Sequence, residues 1–418
     1  MNITPDAARA VIAIAAIGGR PLLVGGCVRD MIIGVESKDI DIEVHGPVTV
    51  DQVEMALRKI GRVDAVGKSF GVLKFGRDVD VSFPRRDSKT GAGHTGFSVE
   101  LNLDLTLEEA LSRRDFTMNS IAMDPMTHEI IDPFGGVADI KAGVIRHTSE
   151  AFADDPLRVV RAIQFSARFD FDIAPDTADL CRELAGRITE LSVERLWMEW
   201  EKILTKGQKM ERVLSAVRSF GLGQVFPGWT SSTVFTDELI QENPDMKGER
   251  RARMILGTQF IGNAKDLERF LKAIDAPHGL RRDAKALIAP FFPRVPDVEV
   301  LIGGVSLTDL QHRCAVIDAA TRAAARQFKC VTLRDRLIVS GMGVQKKTLT
   351  WRSAERQGIL DAPLKALLTG EHLKARGMVP GPVFGIILKA AMETQDRKGW
   401  TTEAEALAWL DASWEVLI

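Results

Sequence analysis

The stretch LLVGGCVRDMIIGVESKDIDIEV, Leu22 to Val44, decides the fold. Leu22-Leu23-Val24 reads as a short apolar strand running straight into Gly25-Gly26. A helical segment follows from about Cys27, with Val28, Met31 and Ile32 at helical spacing. Two adjacent glycines at a strand-to-helix turn let the backbone approach a ligand and aim N–H groups at it. Arg29, one turn into that helix, adds a fixed positive charge, so an anion such as a phosphate suits the place. From Lys38 to Val44 the pattern alternates strictly, with Ile40, Ile42 and Val44 toward a core and Asp39, Asp41 and Glu43 on the opposite face. Asp39 and Asp41 then sit close enough to hold divalent cations together, as two-metal phosphoryl-transfer sites require. An amphipathic edge strand with a solvated acidic face would show the same alternation.

The whole chain sets wide bounds on this reading. Its 418 residues are enough for two to four domains with real cores. With 45% hydrophobic and 27% charged residues it is an ordinary globular composition. A formal charge of −2 argues against a protein that coats nucleic acid by bulk charge, while leaving room for a basic cleft. Cys27, Cys181, Cys314 and Cys330 lack zinc or redox spacing and read as reduced residues of a cytoplasmic protein. Val11 to Ile17 is apolar but short and has no basic leader, so it reads as a first helix packed on a sheet. No stretch approaches the length of a membrane span.

Along the chain, Thr49 to Ile60 reads as a helix, and Val72–Phe75 and Val79–Phe83 as strands of a hairpin turning at Gly76-Arg77-Asp78. Asp80 lies between Val79 and Val81 on the second strand. Pro84 to Glu100 is rich in Gly, Ser, Thr and charge and reads as a mobile surface loop. Thr106 with Glu109 matches a capping box. Beyond about Ile145 strand signals nearly vanish. Asp155 stands at a natural N-cap before Pro156, and Arg158, Arg161 and Gln164 form one polar stripe on the helix that follows. Residues 207 to 355 are helical in pattern with proline breaks at Pro227 and between Pro290 and Pro296.

Taken in order, these motifs resemble the nucleotidyltransferase head of the DNA polymerase β superfamily, and more closely the class II tRNA CCA-adding enzymes and bacterial poly(A) polymerases. Gly25-Gly26-Cys27-Val28-Arg29-Asp30 with Asp39-x-Asp41 carries the resemblance first. Arg113-Arg114-Asp115-Phe116-Thr117-x-Asn119 matches the family's R-R-D-F-T-x-N motif residue for residue. Asp132-Pro133-Phe134-Gly135-Gly136 resembles a hinge motif between head and neck. Asp154-Asp155-Pro156-Leu157-Arg158 resembles the E-D-x-x-R template motif, with Asp154 for the usual Glu and Gln164 where relatives often carry a third arginine. Leu191 to Lys202 resembles a helix that buttresses the template, and Leu368 to Gly385 a C-terminal pattern that meets tRNA.

The resemblance implies an α/β head with a mixed sheet over residues 1–145, a helical neck over 146–206, a helical body over 207–355 and a helical tail over 356–418. It implies transfer of nucleotides from CTP and ATP to the 3′ end of tRNA, with Mg²⁺ held by Asp39, Asp41 and Asp80. Gly25, Gly26, Arg29 and Arg114 would grip the triphosphate, Asp115 the ribose, and Asp155 with Arg158 and Arg161 the base. A carboxylate that accepts and a guanidinium that donates match both cytosine and adenine, and mismatch uracil and guanine. The loop from Pro84 to Glu100 is associated in similar enzymes with completing adenosine addition. Enzymes adding only CC or only A would share these motifs, as would a poly(A) polymerase, which usually adds a strongly basic extension. The lack of a His-Asp pair leads us to expect no metal-dependent phosphohydrolase domain in this chain. A small-molecule nucleotidyltransferase would need no such helical body, and a non-catalytic RNA-binding protein no such set of carboxylates.

Overall fold

The computed structural model describes residues 3–37, 39–65, 71–89, 97–102, 104–229, 234–261, 263–289, 307–326, 331–339 and 344–417. They divide into two units, Met1–Pro244 with Ala273–Asp275, and Asp245–Lys272 with Ala276–Ile418.

The first unit opens with α1 (Pro5–Ala16), where the Thr4 hydroxyl accepts from the Ala7 N–H and Pro5 fills a first-turn position that has no intrahelical bond to lose. Next come β1 (Arg20–Val24), α2 (Gly26–Ile33), β2 (Ile40–His45) and α3 (Val50–Arg58), the last held by a Thr49–Gln52 capping box. Strands β3 (Val63–Asp64), β4 (Val72–Phe75) and β5 (Val79–Ser82) follow. With β8 (Ala122–Met123) and β9 (Ile130–Ile131) they form a seven-stranded sheet in the order β3-β4-β5-β2-β1-β8-β9. Only β2 and β5 pair in parallel among these strands, so the sheet is mixed, as expected.

Register assigns the two faces. Leu23 pairs with Ile42, Ile42 with Val81 and Val81 with Leu73, all fully buried. On the other face Leu22 and Val24 pack with Ala122 and with Leu111 of α4 (Leu107–Ser112). That second face also carries Asp41, Glu43 and Asp80, because Glu43 pairs with Leu22 and Asp41 with Asp80. Burying the aliphatic rows leaves the acidic row facing Arg114, just past the end of α4.

The expected loop after β5 is partly regular. β6 (Arg85–Lys89) and β7 (Phe97–Leu101) pair antiparallel from Arg85↔Leu101 to Lys89↔Phe97, since backbone N–H and C=O groups can close a ladder between any two extended segments. Residues 90–96, including His94, lie outside the described residues. Farther on, α5 (Gly136–Ala142) is capped by the Asp132 carboxylate, which accepts from the Gly136 and Val137 N–H groups at 2.7 and 2.9 Å. A Cβ at Gly136 would lie 2.1 Å from the Thr117 carbonyl oxygen, so in the expected hinge motif this glycine serves close packing.

After β10 (Val144–Ile145) come α6 (Leu157–Phe169), β11 (Asp172–Ile173, parallel to β10), α7 (Pro175–Leu184), α8 (Val193–Lys206), α9 (Met210–Ser219) and α10 (Val234–Glu242). Phe116 joins sheet to helices, meeting the rings of Phe152 and Phe165 edge-on at 5.6 and 5.7 Å. Trp200 of α8 is fully buried against Phe226 and Trp229.

The second unit is helical among its described residues: α11 (Gly248–Gln259), α12 (Ala264–Ala273), α13 (His278–Ile288), α14 (Leu307–Arg326), α15 (Leu333–Val339), α16 (Val344–Arg356), α17 (Gly370–Ala375), α18 (Pro382–Lys398) and α19 (Glu403–Leu417). Asp335 is fully buried there and is neutralised by Arg250 at 2.8 Å and Arg253 at 3.1 Å. Leu373, Ile387 and Leu410 centre the core of the last three helices. Among the described residues no helix is long and apolar enough to cross a membrane. Cys27 and Cys181 are free and buried, and burial pushes their thiols up to about 11 and about 12. The Cys314 side chain and Cys330 lie outside the described parts.

Candidate active site

Asp41 and Asp80 are direct neighbours across the parallel β2–β5 pair, and exposed Asp39 stands just ahead of β2. Burial pushes the Asp41 carboxyl up; Arg114 works against this, while Asp80 and Asp39 add to it. Lys74 of β4 is opposite Asp80, and its Nζ donates to both Asp80 oxygens at 2.8 and 3.0 Å. Asp80 raises the Lys74 ammonium, with smaller contributions from Asp39 and Asp41. Among the described residues no three His, Cys, Asp or Glu side chains converge tightly enough for a metal ion. Even so, Asp39, Asp41 and Asp80 are hard oxygen donors whose mutual repulsion a dication would relieve, and an ammonium already stands where positive charge is wanted. The donor set fits Mg²⁺ once Lys74 gives up Asp80.

The glycine turn lies next to these carboxylates. Gly25 has φ 72° and ψ −128°, a backbone that favours glycine. A Cβ there would come within 2.4 Å of an Arg114 Nη, so the missing side chain makes room for that guanidinium. The Gly25 N–H is spent on the Ile121 carbonyl; the free first-turn donors begin with Gly26. Arg114 forms an ion pair with Glu43 at 3.6 Å, and Glu43 in turn meets His45 Nε2 at 2.8 Å. Burial would raise the Glu43 carboxyl, but His45 and Arg114 hold it below the usual range.

Arg29 lies beside the turn but is already engaged by protein groups. It is only 4% exposed, donating to Asp30 Oδ1 at 2.8 and 2.6 Å and to Asn119 Oδ1 at 2.6 Å. Its guanidinium lies 5.1 Å from the Phe165 ring centre and 4.9 Å from that of Phe169. Cation–aromatic packing on α6 makes it a strut between α2 and α6, while its Nη2 stays 3.6 Å from where a Gly26 Cβ would be.

Asp115 is a hub. Its Oδ1 accepts from the Phe116 N–H and Asn119 Nδ2, both at 2.9 Å, and its Oδ2 accepts from Arg161 at 2.7 Å. Burial would raise this carboxyl, yet Arg161 and Asn119 hold it below the usual range. Arg161 continues to Glu199 at 3.4 Å, and Glu199 accepts from Lys202 at 2.8 Å. A continuous polar chain thus runs from α2 to α8.

The residues expected to read the base are also engaged. Asp155 Oδ1 accepts from the Leu157 N–H at 3.1 Å, capping α6, and its Oδ2 accepts from Arg195 of α8 at 2.7 Å. Arg158 donates to the Ala151 and Arg113 carbonyls at 2.8 and 2.7 Å, leaving about three of its five N–H donors. Burial lowers the Arg158 guanidinium from its ordinary value. Gln164 is buried, and its Nε2 has no hydrogen-bond partner. Glu43, Lys74 and Asn119 went unassigned in the sequence reading. For Glu43 a signal was present, since alternation already set it beside Asp41.

Comparison with known proteins finds likenesses over parts of the chain. Residues 22–146 match the poly A polymerase head domain, and residues 170–232 match the probable RNA and SrmB-binding site of polymerase A. A multifunctional CCA protein of Xanthomonas campestris pv. campestris is 36% identical over 268 residues, 61% of this chain and 64% of that protein. A CCA-adding enzyme of Bordetella pertussis is 40% identical over 227 residues, 53% of this chain and 60% of that protein. The chain thus spans somewhat under two thirds of the length of these relatives. Among solved structures, the Thermotoga maritima CCA-adding enzyme complexed with tRNA superposes with a TM-score of 0.64 at 22% identity, covering 99% of this chain and 96% of that one. The Bacillus stearothermophilus CCA-adding enzyme in complex with CTP gives 0.66 at 24% identity, covering 99% of each. Residues 22–146 thus match the poly A polymerase head domain and residues 170–232 its probable RNA-binding region, and the chain shares the fold of the solved CCA-adding enzymes.

Proposed function

We propose that the protein is a tRNA nucleotidyltransferase that adds CCA to the tRNA 3′ end from CTP and ATP, releasing pyrophosphate, in the cytoplasm. The observation that carries this reading is the meeting of Asp41 and Asp80 with the Gly25 turn and Arg114 on one face of the sheet. Asp39, Asp41 and Asp80 would hold Mg²⁺, which when bound supplies charge that favours ionisation of the RNA 3′-hydroxyl and departure of pyrophosphate. The first-turn N–H groups of α2 and Arg114 bind the triphosphate, and Arg29 acts by holding Asn119. Asp115 takes the ribose hydroxyl in exchange for one of its protein bonds. Asp155 and Arg158, with Arg161 beside them, read the base, steadied by Arg195 and Glu199. We assign residues 1–145 to the head, 146–206 to the neck, 207–355 to the body and 356–418 to a tRNA-binding tail.

The test is to incubate the protein with tRNA ending at the discriminator base, Mg²⁺, and labelled CTP or ATP, singly and together. Three added residues, ending in A only when both nucleotides are present, are expected. Two C residues, a single A on tRNA ending in CC, or a long A tail would each replace this assignment with a narrower or different transferase.

A further inference from the structure

We propose that Glu43 is a positioning residue that holds Arg114 at the glycine turn, so that an incoming nucleoside triphosphate meets a guanidinium already oriented. The inference rests on the nucleotidyltransferase reading of the site. Alternation puts Glu43 on the face of β2 that carries Asp41, but the two carboxylates have different surroundings. Asp41 is partly exposed, whereas Glu43 is 7% exposed and pairs in register with Leu22 on the interior strand β1.

A buried carboxylate is costly unless it is paired, and the pairing of Glu43 is divided. Its Oε1 meets His45 Nε2 at 2.8 Å and its Oε2 lies 3.6 Å from an Arg114 Nη. His45 therefore fixes one oxygen and the other is aimed at Arg114. That guanidinium lies where a Gly25 side chain would otherwise be, and it also feels the Asp41 charge. With Glu43 neutral, the pull of Asp41 on Arg114 would go unopposed, drawing the guanidinium over a carboxylate assigned to the metal. Arginine's rigid fork makes such placement matter, because its donors are useful only when aimed.

Glu43→Gln keeps the size and can still hydrogen-bond His45, so it removes the charge with little change of shape. Steady-state KM and kcat for CTP and ATP would be measured for Glu43→Gln, Arg114→Gln and the double variant, with thermal melts alongside. Loss of an aimed, charge-assisted contact should raise KM for both nucleotides about tenfold in Glu43→Gln, with kcat within about twofold of wild type. Because both residues act through one guanidinium, the double variant should have the KM of Arg114→Gln alone. A wild-type KM in Glu43→Gln, a lowered Tm and kcat with KM unmoved, or multiplied losses in the double variant would overturn the proposal. A wild-type KM in Arg114→Gln would instead overturn the nucleotide-site reading beneath it.

Discussion

Asp41 of β2 and Asp80 of β5 are register partners on adjacent parallel strands, so two acidic side chains leave the same face of the sheet at neighbouring positions. Their repulsion is set by the β2–β5 hydrogen-bond ladder, which a side-chain rotation cannot undo. Stability has been traded for a place where positive charge is strongly favoured.

That trade has a pH signature. The Asp41 carboxyl is raised in the folded protein, so the native state holds its proton to higher pH than the unfolded chain. Its contribution is harmless below the unfolded value of 3.8 and becomes unfavourable as pH rises through the raised folded value. Asp41→Asn should therefore raise Tm at pH 7 in EDTA and lose that advantage at strongly acid pH. The same variant should lose at least about a hundredfold in nucleotide transfer, since even outer partners of a metal site cost up to that much. Melts at the two pH values and a tRNA extension assay check both halves.

Arg29 should behave as a structural residue. Arg29→Ala leaves Asp30 and Asn119 without their main partner beneath Phe165 and Phe169, and losing one member of a buried pair costs about 3 kcal/mol. Urea denaturation would measure that loss. At temperatures where the variant is folded, its KM for CTP should rise less than that of Arg114→Gln.

Gly25→Ala tests the room left for Arg114. A methyl group would meet the guanidinium at 2.4 Å and the backbone has φ 72°, so Arg114 must move and the turn is strained. We expect a rise in KM for both nucleotides of about tenfold, the value of one charge-assisted contact. Gly34→Ala, also at positive φ but with nothing within 4 Å of its Cβ, is the control and should alter stability alone. Equal KM effects in the two variants would count against the arrangement.

Exchanging Asp155 and Arg158 is a poor test of base choice, because an arginine at 155 would face Arg195 and the exchange would also remove the α6 cap. Asp155→Asn is the better probe: its amide oxygen can still cap Leu157, while the charge is lost and donors appear. Discrimination against UTP and GTP should fall by about tenfold to a hundredfold from a starting ratio of order 10⁴. Competition between labelled nucleotides on tRNA ending in C reads this directly, and an unchanged ratio would return Asp155 to capping alone.

Periodicity and turn chemistry made much of the head legible without coordinates. Alternation from Lys38 to Val44 separated Ile40, Ile42 and Val44 from the acidic row, and the Thr106–Glu109 box appears with both reciprocal bonds. These are local properties, set by strand pleat and by which N–H groups a helix start leaves unpaired. Which charge meets which was not local. Arg29 and Arg114 are both basic residues in matching motifs, yet one is stacked on α6 rings and the other is held over Gly25 by Glu43. Strand pairing decides that Asp80 stands beside Asp41 and opposite Lys74, from positions 39 and 6 residues away. Electrostatic partnership follows distance in space, and only strand pairing and the meeting of α2 with α6 bring those distances to a few ångströms.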